Sequence, residues 1–237
     1  MQENTCIILH TIKYGEKSLI IKALHKNGLK SYFLNNYTKK GKNIYPFLSW
    51  PLAIVELEEK IISKSSLPFA RNLALAYVPR IISRDVMRQS VALFMADILY
   101  HFIREENDRI DSVFNYIVEA IKSLDTAENL SSCFSIKFGY DIADLIGYGI
   151  NSGKKSESHF NTKELQFQSH KSPHCLSVAE SETFKAILET DISLINRIKP
   201  EITVSKKLFQ EMISFFKNKI PESGSLKSPQ ILHGLFK

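Results

Sequence analysis

The chain has little from which to build a stapled, membrane-spanning or catalytic protein. Its three cysteines, Cys6, Cys133 and Cys175, are widely separated and odd in number. No disulfide framework is expected from them, and a reducing cytoplasm is the expected compartment. No apolar run reaches the length needed to span a bilayer as a helix. The opening residues, MQENTCIILHTIKYGEKS, have no basic stretch leading into an apolar one, so no signal peptide is expected. There is no GxxxxGK[ST] phosphate loop, no nucleophile motif, and no His/Asp/Glu set at metal-ligand spacing. Seven histidines are scattered without a common pattern. The acidic run REENDRID at residues 104–111 reads as a helix end and solvated turn rather than as a set of nuclease carboxylates. No catalytic residue, metal or cofactor is assigned.

What is present is ordinary in amount and unusual in placement. The 237 residues suffice for one large or two ordinary domains. Hydrophobic content is 44% and charged content 24%, as in soluble globular proteins. The net charge of +6 is one-sided. Residues 1–82 hold 12 Lys and Arg against 5 Asp and Glu, whereas residues 83–237 hold 19 against 20. An excess confined to the first third points to a polyanionic partner, with a solubilising surface as the plainer reading.

The first third has the period of strands. TCIILHTI (residues 5–12) ends at Tyr14-Gly15, a turn signal. SLIIKALH (residues 18–25) puts Leu19, Ile21 and Ala23 on one face and Ile20, Lys22 and Leu24 on the other. Asn27-Gly28 is a strong hairpin signal, because both residues accept positive φ, and LKSYFLN (residues 29–35) is the return strand. PLAIVELEE (residues 51–59) alternates again, and a last strand is expected within residues 61–76. About five short strands in this length suit a small closed barrel.

From about Arg84 the period becomes helical. Val91, Phe94, Met95, Ile98, Leu99 and Phe102 recur at three and four, with Leu93, Ala96 and Ile103 on the other side, which predicts a central helix capped by Ser83 or Asp85. Further helices are predicted from about residue 110, near residues 127–148, at residues 181–191 and at residues 206–219. Residues 151–177 read as an irregular polar insert and residues 221–237 as a loosely held tail. The expected fold is therefore α+β multidomain: a β-barrel at residues 1–80, then a helical bundle at residues 81–237.

The segments YGEKSLIIKAL and NGLKSYFL, the basic loop and YPFL that follow, and the helical stretches SVALFMADILYHFIREE and VFNYIVEAIKSLD resemble the DNA repair protein RecO family. The resemblance is carried by residues 5–150 and by the order of the two parts, not by one motif. It implies an N-terminal OB-fold barrel that binds single- and double-stranded DNA, strand annealing, partnership with RecR, contact with the C-terminal tail of single-strand DNA-binding protein, and help in loading RecA. Many family members carry a four-cysteine zinc module in the helical half. Here residues 151–177 hold one cysteine and no CxxC pair. The nearest substitute is His170, His174 and Cys175, and Pro173 keeps the two histidines off a shared helix face. A zinc-free variant is expected. The family's glycine before its basic loop is replaced around Asn35-Asn36.

An OB-type barrel binds single strands with cations for phosphates and aromatics for bases. The loop NNYTKKGKNIYPF (residues 35–47) supplies Lys39, Lys40 and Lys42 beside Tyr37. Lys13, Lys17 and Lys26 fall at strand ends, and Lys22 and Lys30 are expected to share a face. Arg71 and Arg84, with Arg80 and Arg88, are further cations that either extend this surface or pair with Asp85 and nearby carboxylates. Tyr32, Tyr37 and Trp50 are candidates for base stacking, with core or rim packing as the alternative. An RNA-binding OB-fold protein and a protein-interaction adaptor with an acidic partner remain rival readings.

Overall fold

The computed structural model describes residues 4–39, 42–61, 67–103, 109–150, 157–219, 226 and 228. It divides into two compact units, Met1–Asp125 and Thr126–Lys237. The first takes in two helices as well as the strands.

In the first unit, β1 (Thr5–Tyr14), β2 (Ser18–His25), β3 (Gly28–Asn35), β6 (Ile54–Lys60) and β7 (Phe69–Leu75) close a barrel in the order β1-β2-β3-β7-β6. A two-residue ribbon, β4 (Thr38–Lys39) with β5 (Lys42–Asn43), and a 3-10 turn, Pro46–Ser49, lie between β3 and β6. All barrel pairs are antiparallel except β3 with β7. That closure, with one parallel pair in five strands, is the OB-type barrel. The period-two pattern is what closes it. Cys6, Ile8, Leu19, Ile21, Ala23, Tyr32, Leu34, Val55, Leu57, Ala70 and Leu73 turn inward and are buried.

The turns differ in detail from the sequence reading. Tyr14 pairs with Ser18, and Gly15 takes φ +70° between them. In the next hairpin His25 pairs with Gly28, so the turn is Lys26-Asn27; Gly28 alone has positive φ, +132°. Asn36 has φ +54°, a conformation asparagine tolerates better than most residues. The last strand begins at Phe69; residues 62–66 of the expected span lie outside the described residues.

Helix α1 (Val86–Phe102) is capped by Asp85, whose carboxylate accepts the Arg88 N–H at 3.0 Å. It buries the predicted stripe together with Ala96 and Ile103. Leu93 is 45% exposed, so the helix keeps one open side instead of being enclosed all round. Arg88 is buried: its guanidinium pairs with Asp85 and donates to the carbonyl of Leu124 in α2 (Ile110–Thr126). The strand-to-helix connection is held by one carboxylate. Asp125, fully buried, accepts from the Tyr77 hydroxyl (2.7 Å) and from the N–H groups of Arg80 (2.8 Å), Ile81 (2.8 Å) and Ile82 (2.9 Å). Burial alone would raise its pKa. These donors outweigh that effect and hold the carboxyl below its ordinary value.

The second unit comprises α3 (Cys133–Leu145), β8 (His159–Asn161), β9 (Gln166–Gln168), α4 (Val178–Glu189), a 3-10 turn at Ile195–Arg197, and α5 (Ile202–Lys219). Within the stretch read as an irregular insert, residues 159–168 hold a short antiparallel hairpin, the rest of 157–176 being turns and loop. The hairpin brings hydrophobic anchors that the polar composition hides. Phe160 and Phe167 are buried, and Phe160 lies 4.5 Å from the ring of Phe184 in α4. Lys137 of α3 pairs with Asp141 at 2.8 Å and donates to the Leu188 carbonyl, tying α3 to the end of α4. Gly139 of α3 lets Met212 of α5 approach so closely that a Cβ would overlap its sulfur. A capping box, Ser177 with Glu180, starts α4. Among the described residues no helix is long and apolar enough to cross a membrane.

Candidate nucleic-acid interface

Barrel register sorts the outward-facing side chains into rows that run across the strands. One row, Ile54, Ile7, Leu24 and Leu29, is apolar and buried outside the barrel core, on the strand that α1 touches. The next, His10, Lys22 and Ser31, meets Tyr100 of α1: the His10 ring is 5.1 Å from it and the Lys22 ammonium 4.6 Å above its face. A further row is apolar again but open. Ile12 pairs with Ile20, Ile20 with Phe33, Phe33 with Phe69, and Phe69 with Lys60, so five strands contribute one residue each. Phe33 meets Phe69 edge-on at 5.3 Å and Tyr14 at 5.4 Å. Ile12 is 47% and Tyr14 60% exposed; Ile20, Phe33 and Phe69 are half-buried. Among the described residues nothing covers this strip, and exposed apolar patches are where contact surfaces are found; residues 62–66, between Lys60 and Phe69, lie outside the described residues.

The predicted cations divide into two sets. Lys13 and Lys17 are exposed at the β1–β2 end, where the Tyr37 N–H bonds the Lys17 carbonyl at 3.2 Å and so joins the β4–β5 ribbon to that turn. Lys42 is exposed in the ribbon, and Tyr37 is half-buried against the barrel core. Of Lys39 only the backbone is described, and Lys40 lies outside the described residues. Lys17 and Tyr37 are thus joined through the backbone at one end of the barrel, with Lys42 in the adjoining ribbon; Lys13 precedes Tyr14 but pairs with core Leu19, on the opposite face of β1 from Ile12 and Tyr14.

The remaining lysines are engaged elsewhere. Lys26 pairs with Asp111 at 3.6 Å, and Lys30 with Glu59 at 3.2 Å. Lys22 and Lys30 do not share a face: Lys22 pairs in register with Ser31 and points outward, whereas Lys30 pairs with Ala23 on the inward parity. Arg71 is exposed on the same side of β7 as Phe69, in register with Glu58. Arg84 is exposed in the turn before α1.

Of the aromatics proposed for stacking, Tyr32 is excluded by position. It is 1% exposed inside the barrel, with its hydroxyl 2.8 Å from His25 Nε2. Burial, with the Lys30 cation next and Glu59 opposing both, lowers the His25 pKa to about 4. Trp50 packs on the rim. The residues that sequence reading missed are Tyr14, Ile20, Phe33 and Phe69. For Ile20 and Phe33 the sequence signal is that β2 and β3 are apolar on both faces, a pattern that also describes a strand buried on both sides.

Two buried thiols are chemically quiet. Burial pushes Cys6 up to about 12 and Cys133, against bonds from Ser131 and Ser132, up to about 11. Among the described residues no group of three or more His, Cys, Asp or Glu is placed to hold a metal ion.

No family model matches the chain. Curated relatives do. DNA repair protein RecO of Flavobacterium psychrophilum is 25% identical over 232 residues, covering 97% of each chain. That of Azobacteroides pseudotrichonymphae is 22% identical over 242 residues, covering 100% of this chain and 99% of its own. That of Bacteroides fragilis is 29% identical over 149 residues, 62% of this chain and 61% of its own. The likeness read from residues 5–150 therefore extends from end to end: over its whole length the chain is similar to curated proteins named DNA repair protein RecO.

Proposed function

We propose that this chain is a non-enzymatic mediator of recombinational repair that binds single-stranded DNA, and double-stranded DNA through its phosphates, on the outer wall of its barrel. The observation that carries the reading is the open row Ile12–Ile20–Phe33–Phe69 with Tyr14 on its edge and Lys60 at its end. Apolar and aromatic faces accept unstacked bases regardless of sequence, and lysines track phosphates as mobile point charges. Lys17 and Lys42, with Lys13 on the opposite face of β1 at the same barrel end, supply exposed cations near Tyr14, where a backbone following the bases would pass. Two strands neutralised on one surface repel each other less, which is the physical basis of annealing.

The RecO likeness supports a cytoplasmic, nucleoid-associated setting, with RecR, the C-terminal tail of single-strand DNA-binding protein and, indirectly, RecA as partners. The test is single-strand binding by Tyr14→Ala, a substitution at an exposed position that leaves the barrel interior intact. Loss of one stacking contact lowers affinity about tenfold with an unchanged melting temperature. Unchanged affinity removes the wall from the account. Stronger competition by structured RNA than by single-stranded DNA would favour the RNA-binding rival.

A further inference from the structure

Residues 157–176 raise a physical question: two three-residue strands are too short to hold a hairpin by themselves. Four polar side chains converge behind it. Asn161 Nδ2 donates to Gln168 Oε1 and to Ser172 Oγ, each at 3.3 Å. Gln168 Nε2 donates to Cys175 Sγ at 3.2 Å, and Ser172 Oγ meets the same sulfur at 3.2 Å. The links run Asn161–Gln168–Cys175–Ser172–Asn161 and close into a ring. Its members are also tied to the backbone. Asn161 Oδ1 accepts from the N–H groups of Lys163 (3.0 Å) and Glu164 (3.1 Å), and Gln168 Nε2 donates to the His170 carbonyl (2.7 Å). The Ser172 N–H points at Cys175 Sγ (3.4 Å), and Cys175 forms a β-bridge with Asn161.

This ring occupies the region where the family resemblance implies a four-cysteine zinc module, and its separations invite the comparison. Ligand-to-ligand edges in a tetrahedral site with bonds of 2.0–2.3 Å are about 3.3–3.8 Å, close to the separations in the ring. Ser172 and Cys175 also keep the CxxC spacing. The donor set nevertheless does not fit zinc. Asn161 has committed its oxygen to two backbone amides and turns an NH₂ group inward; Gln168 likewise turns an NH₂ group toward the sulfur. An N–H hydrogen repels a cation, Ser172 offers a neutral hydroxyl, and Cys175 is the single thiol.

We propose that Asn161, Gln168, Ser172 and Cys175 form a metal-free clip, in which a closed ring of hydrogen bonds does the cross-linking that four thiolates around zinc would do. The clip fixes the hairpin so that Phe160 and Phe167 stay buried around Phe184.

Thermal melts of the full chain with zinc and with EDTA test this. The native protein melts at the same temperature in both, within about 1 °C. Cys175→Ser, whose hydroxyl serves both ring bonds, stays within about 2 °C of native. The triple variant N161C/Q168C/S172C, which puts a thiol at each of the four positions, takes up one Co²⁺ per chain with a tetrahedral thiolate spectrum as the hairpin closes on the shorter side chains. It then melts at least about 5 °C higher with zinc than with EDTA. The proposal is overturned if zinc raises the native melting temperature, if Cys175→Ser abolishes the cooperative melt, or if the triple variant folds and takes up no cobalt. If the triple variant does not fold, the native and Cys175→Ser melts decide the question.

Discussion

His25 shows how one buried side chain makes the barrel sensitive to acid. It is 7% exposed, bonded to Tyr32 and near Lys30, and its pKa is lowered to about 4. Between the unfolded value of 6.5 and about 4, the unfolded chain binds a proton that the native one does not. Stability is therefore untouched above this window and falls as pH falls through it, by about 2 kcal/mol from pH 7 to pH 5. Chemical denaturation at the two pH values should find this loss, and His25→Asn should remove most of it while keeping a partner for the Tyr32 hydroxyl. An NMR titration in which the His25 ring protonates near 6.5 would contradict the assignment. Gly139 matters instead through packing. Gly139→Ala forces Met212 aside in a fully buried contact and costs about 1–3 kcal/mol, read from the unfolding midpoint of the second unit.

Connecting elements depend on longer-range polar bonds. Asp125, at the end of α2, satisfies three backbone donors of the segment that leads from β7 into α1. Asp125→Ala leaves the buried Ile82 N–H and the part-buried Arg80 and Ile81 N–H groups without their acceptor and is expected to destabilise the first unit by about 3 kcal/mol. Because its pKa is depressed, its contribution is present above the ordinary carboxylate value and is lost as pH falls through the lower native one. Denaturation at pH 7 of the alanine and native proteins measures the first effect.

What the sequence makes legible follows the range of the interactions. Strand alternation, the helical stripes and the choice of caps are local, and they place β1 to β3, α1 and α2. The bond from Asp125 to Arg80 spans 45 residues and leaves no local mark. The hairpin in the second unit was hidden because its strands are three residues long and lie among polar neighbours. The separation of Lys22 from Lys30 hangs on the register of one turn, which Asn27-Gly28 signals only to within a residue.

For the molecule as a whole, charge and topology work together. The positive excess lies in the first third of the chain, yet folding uses part of it. Lys26 and Lys30 pair with carboxylates, Lys22 covers an aromatic ring, and Arg88 is buried against a cap and a carbonyl. Lys13, Lys17 and Lys42 are exposed, and under the proposed function Lys17 and Lys42 border the end of an apolar row that no described residue covers. That row was invisible as a surface because outward-facing Ile20 and Phe33 read as core in a one-dimensional pattern. Titration of fluorescent single-stranded DNA across a salt series is the most direct measurement of this arrangement. The native protein should bind with a steep fall of log affinity against log salt, and replacing Lys13, Lys17 and Lys42 together by Glu should flatten that slope by about 2. An unchanged slope, or no binding by the native chain at low salt, would contradict it.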